Sequence, residues 1–125
     1  MSKVFIIEPP RNNIDVSDAR KFGDIVYVFD HDDRRCGVWQ ITLFGQTILR
    51  RLESLEFDPE TDYVCVTGAM LTVSIAIIAV AQRYDEFNAL LFNAVNNCYV
   101  KKRFRRNDWK GLDDGAKNRT TVKSN

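Results

Sequence analysis

The chain has 125 residues, 45% of them apolar and 28% charged, and a formal net charge of +1. That length gives one domain with a modest core, and no internal repeat is visible. Cys36, Cys65 and Cys98 are odd in number and far apart, which argues against a disulfide framework and provides no zinc-ligand spacing.

Lys3 to Ile7 is a β-branched apolar run closed by Glu8-Pro9-Pro10, the pattern of a strand buried on both faces. Its four apolar residues, Val4 to Ile7, are too few for a signal-peptide core, so Asn118-Arg119-Thr120 is read as a chance glycosylation triplet and the protein as cytoplasmic. Asp15 offers an N-cap and Gly23 a stop for a helix of barely two turns, Val16 to Phe22. Ile25 to Phe29 is the second apolar run, ended by Asp30-His31-Asp32-Asp33. In the arginine-rich loop that follows, Arg34 and Arg35 directly precede Cys36 and would favour its thiolate, but only His31 is near as a base. Ile41, Phe44, Ile48, Leu52 and Leu55 then mark one stripe of an amphipathic helix.

Tyr63 to Gln82 contains no charge and is long enough to cross a membrane. Its composition divides it instead: Tyr63 to Thr67 is β-branched and aromatic, Gly68 breaks it, and a helix of globular length runs from about Met70 to Tyr84. The acidic turn before it and Asp85-Glu86 after it lack a basic flank. Leu71, Ile75 and Ile78 lie opposite Val73, Ile77, Val80 and Tyr84 on the helical wheel, so this helix has two apolar faces. The second face meets either the C-terminal segment or another copy of the chain, which makes helix 70–84 a candidate for self-association.

Asn88 to Phe92 reads as a fourth strand. Asn96-Asn97 suits a tight turn, and Cys98 to Phe104 returns as an antiparallel fifth strand. The expected fold is α/β, a small three-layer Rossmann-like sheet in the order β-α-β-α-β-α-β-β, mainly parallel with an antiparallel C-terminal edge. It occupies residues 1–106, followed by a flexible basic and polar tail, 107–125.

Three places carry candidate chemistry. Ligands of such folds gather at the carboxyl ends of the strands, where Glu8, Asp30 and Asp32 supply three carboxylates suited to Mg²⁺ and to phosphotransfer or nuclease-like activity. A glutamate after one strand and Asp-x-Asp after another resembles the arrangement of Toprim domains. It departs from that pattern in having Pro9 after the glutamate and only one short helix between the two motifs. Thr67 and Gly68 begin a strand-to-helix turn that would favour an anion, without a glycine-rich phosphate motif. The sole histidine, and serines with no evident base, argue against a hydrolytic triad.

The third place is the C-terminal segment. Residues 1–100 carry nine Lys and Arg against fourteen Asp and Glu, while residues 101–125 carry nine against three. Within it Lys101, Lys102, Arg103, Arg105, Arg106 and Lys110 are interleaved with Tyr99, Phe104 and Trp109. Cations for phosphates and rings for unpaired bases are the combination used on single-stranded nucleic acid, and an acidic protein surface would answer the same charge. In an extended strand Tyr99, Lys101, Arg103 and Arg105 share one side. The same lysines and arginines would also guard an exposed sheet edge. The function expected from the sequence is thus binding, without catalysis or cofactor, of nucleic acid or an acidic partner; the carboxylate site and a self-associating adaptor are the alternatives.

Overall fold

The apolar runs form the strands, and the segments between them decide how the strands are ordered. The computed structural model describes residues 2–9, 16–29 and 40–108. β1 is Lys3–Ile6, β2 Asp24–Tyr27, β3 Tyr63–Val66, β4 Glu86–Asn93 and β5 Cys98–Arg105; α1 is Ile41–Ser54, α2 is Met70–Arg83, and Ser17–Lys21 is a 3-10 helix. The strands make one sheet in the order β2-β1-β3-β4-β5, parallel except for the antiparallel β4 and β5 pair. This is the small Rossmann-like α/β architecture expected from the sequence, with the strand order of flavodoxin-like sheets.

Side chains alternate across the sheet, so each strand feeds two cores. On one face Phe5, Ile7, Val64, Phe87 and Ala89 pack with Phe44, Ile48 and Leu52 of α1 and Ile75, Ala76 and Val80 of α2. On the other face Val4, Ile6, Cys65, Leu90 and Tyr99 pack with Ala19, and Phe22 sits against Tyr63. The second face is therefore roofed by the 3-10 helix. Five residues are too few for an α-helical ladder, and Val16 at its start makes no side-chain cap, which is why the expected two-turn helix is shorter and tighter. Gly23 ends it where a side chain has no room, since a Cβ there would lie 2.3 Å from the Ser2 carbonyl oxygen.

The uncharged stretch resolves into β3, a turn and a helix of 14 residues, and no described helix is long and apolar enough to cross a membrane. The turn uses Gly68 at φ 126, a backbone conformation that side-chain-bearing residues rarely adopt. The two apolar faces of α2 have different neighbours. Val80 and Ala76 join the core over the sheet, while Ile75 and Ala79 meet α1 at Gly45, where even a Cβ would stand in ordinary van der Waals contact with them at 3.6–3.7 Å. Ile78 is 60% exposed, so part of the face it shares with Leu71 and Ile75 is not covered by the described residues.

A buried carboxylate ties the start of the parallel strands together. Asp62 is 1% exposed and accepts the Lys3 amide at 2.9 Å and the Asp58 amide at 2.8 Å. The acidic turn after α1 is thereby folded onto β1.

Candidate interaction site on the outer strand

β5 is outermost because the chain reverses after β4. The Asn93 side chain accepts the amides of Val95 and Asn96 at 3.0 and 3.3 Å, and Asn97 takes the left-handed conformation at φ 53. The turn fixes Asn93 opposite Cys98, and the register continues to Glu86 opposite Arg105. β4 and β5 both extend to these ends, somewhat beyond the strands read from the sequence.

The register sorts the residues of the basic segment. Tyr99 is 4% exposed, packs on Phe92 and shares a 3.2 Å hydrogen bond with Thr67. Phe104, on the opposite face, is half-buried with its ring centroid 4.9 Å from that of Phe87. Both rings contribute to packing, which limits what they offer to a nucleobase.

Arg103 is also engaged. Its guanidinium donates to the Pro59 carbonyl at 2.9 Å and the Asn88 side chain at 3.1 Å, and pairs with Glu60 at 3.2 Å and Glu86 at 3.3 Å. The planar five-donor group suits such a divided set of acceptors. Arg105 pairs more loosely with Glu86 at 3.7 Å, and Arg106 pairs with Asp85 at 2.8 Å while donating to the Ala81 carbonyl. By contrast Lys101 and Lys102 are exposed, one on each face of β5, and make no ion pair with the described residues. The open cationic surface is thus narrower than the sequence segment.

Beside Phe104 an apolar groove of about 380 Å³ runs between α2 and β5, lined by Val66, Ile77, Ala89, Leu91 and Lys102 among others. Leu91 is 38% exposed there. Sequence reasoning did not find this groove, because it exists only where the sheet extends past the edge of α2. Nor did it find the anchoring of Arg103; the acids in the 58–62 turn were the available signal, masked by their ordinary look as turn residues.

The other candidates are dispersed. Glu8 follows β1 and accepts from the Thr72 hydroxyl at 3.4 Å in the first turn of α2, placing a carboxylate near the positive end of that helix. A phosphate at Thr67 and Gly68 would meet this negative charge. Asp30, His31, Asp32, Cys36, Trp109, Lys110 and the tail from 109 onward lie outside the described residues, as does Asp15. Among the described residues no three His, Cys, Asp or Glu side chains gather as a metal site. Burial pushes the Cys65 thiol up to about 12, partly offset by hydrogen bonds from Tyr99 and Thr67, so it is a neutral core group.

These features define a small Rossmann-like α/β protein with a basic outer strand. The chain belongs to the Phage Pam3 gp32-like protein family, whose model matches residues 2–106. The matched region starts just before β1 and ends just after β5. No curated protein and no solved structure matches the chain.

Proposed function

We propose that this protein is a non-enzymatic binding module that holds an anionic partner on β5, an acidic protein segment in preference to nucleic acid. The observation that carries this reading is the pair Lys101 and Lys102, exposed and without an ion pair among the described residues on the outer strand. Arg105 and Arg106 stand next to them, each sharing an acid that a stronger anionic partner would compete with. Protein is favoured over single-stranded nucleic acid because Tyr99 is in the core and Phe104 packs on Phe87, so ring surface for base stacking is scarce. The protein acts in the cytoplasm in this reading, where the free Cys65 and Cys98 stay reduced.

The test is fluorescence anisotropy of a labelled oligoglutamate and a labelled DNA single strand of equal charge, titrated with the full chain across a range of salt. The expected result is binding of the acidic peptide that weakens with salt and is lost in Lys101→Glu/Lys102→Glu, with unchanged circular dichroism. Absence of peptide binding at low salt would overturn the reading. Tighter binding of DNA, with a log–log salt slope of about −0.7 per phosphate contacted, would replace it with nucleic-acid recognition.

A further inference from the structure

Among the described residues β5 is paired on one side only. In an antiparallel ladder the amides of successive residues point alternately toward and away from the neighbouring strand. The Arg106 amide bonds to Asp85 on the β4 side, whereas the Tyr99 amide bonds to the Asp18 carboxylate at 3.1 Å. The same alternation turns the amides and carbonyls of Lys101, Arg103 and Arg105 to the open edge. Asp18 therefore closes the first outward amide of the strand, and the next three have no partner among the described residues. Lys21, 2.6 Å from Asp18, together with the Tyr99 amide, holds the Asp18 carboxyl below its ordinary range, so this closure persists near neutral pH.

An open edge is a template for a further strand, and charge decides which strand it accepts. A second copy of β5 would bring lysines and arginines of one chain opposite those of the other, an unfavourable cross-strand arrangement. An acidic strand reverses the sign of that interaction. We propose that the edge of β5 receives an extended acidic segment of a partner protein as a sixth, antiparallel strand. Its acidic side chains stand opposite Lys101, Arg103 and Arg105: Lys101 supplies the cation without an ion pair among the described residues, Arg105 shares Glu86 only loosely, and Arg103 stays tied to Pro59, Asn88, Glu60 and Glu86. Its alternate side chains are apolar and lie over the groove beside Phe104 and Leu91 on the other face. This inference rests on the acidic-partner reading and adds the mode of binding and the sequence pattern of the partner, acidic and apolar in alternation.

The experiment uses the full chain and a synthetic octapeptide of alternating Glu and Val. Two further peptides carry N-methyl groups on the glutamates or on the valines, leaving charge unchanged. In antiparallel addition the glutamate amides face β5, so methylating them is expected to weaken binding tenfold or more, at a few-fold per lost hydrogen bond. Methylating the valines is expected to change it little. Equal binding of all three peptides would overturn strand addition while leaving the acidic-partner reading intact. Failure of the parent peptide to bind where oligoglutamate binds would overturn the inference alone, and failure of both peptides would overturn the acidic-partner reading as well. A dimer seen by sedimentation without peptide, with the Lys101, Arg103 and Arg105 amides already protected from exchange, would overturn the inference by filling the edge with a second copy.

Discussion

Lys101 and Arg103 lie two residues apart on one face of β5 and have opposite fates. Arg103 has a side chain only 17% exposed and joins β5 to β4 and to the turn after α1, so its removal strands the acceptors it satisfies. Arg103→Ala is expected to lower unfolding free energy by about 2–3 kcal/mol, measured by urea denaturation. Lys101→Ala at an exposed position should stay within about 0.5 kcal/mol of the parent in the same assay. Asp62 has a comparable structural role at the start of β1, and Asp62→Ala should cost at least as much as Arg103→Ala. For Cys65 the folded pKa exceeds the unfolded one. Its contribution to stability is therefore complete below pH 9 and is lost as pH rises through about 12. The companion expectation is kinetic: with a thiol reagent at pH 8 and peptide mapping, Cys98 is modified in the folded protein and Cys65 only after unfolding.

At the scale of elements, the 3-10 helix has a larger task than its length implies, because among the described residues it is what covers the face carrying Val4, Ile6 and Cys65. Gly23→Ala would force a Cβ against the Ser2 carbonyl and pull the start of β2 away from β1, so a loss of about 1–3 kcal/mol is expected by thermal denaturation. The elements themselves were legible because strands buried on both faces read as unbroken apolar runs, and α1 as a single stripe. The boundary of the 3-10 helix was less so, since two polar-capped turns of α-helix and one of 3-10 differ by a few residues. Which neighbour covers each face of α2 could not be read from periodicity either. That depends on Gly45 facing Ala79, a contact between residues 34 positions apart.

For the whole molecule, the segregation of charge toward the C-terminal end was visible in the sequence, and its use was not. A run of cations says nothing about which of them have internal partners until the 58–62 turn and Glu86 are brought beside β5. The structure divides the run into an anchoring arginine, two arginines sharing acids, and two exposed lysines on an outer strand. If those lysines hold an acidic partner by electrostatics, raising salt from about 50 to 300 mM should weaken binding of the Glu/Val peptide severalfold, whereas folding should be unaffected. The most direct measurement is a titration of isotopically labelled protein with that peptide, following each backbone amide by two-dimensional NMR. The account predicts shifts and slowed exchange concentrated at Lys101, Arg103 and Arg105. Shifts centred instead on Thr67, Gly68 and the start of α2, with β5 unmoved, would contradict it.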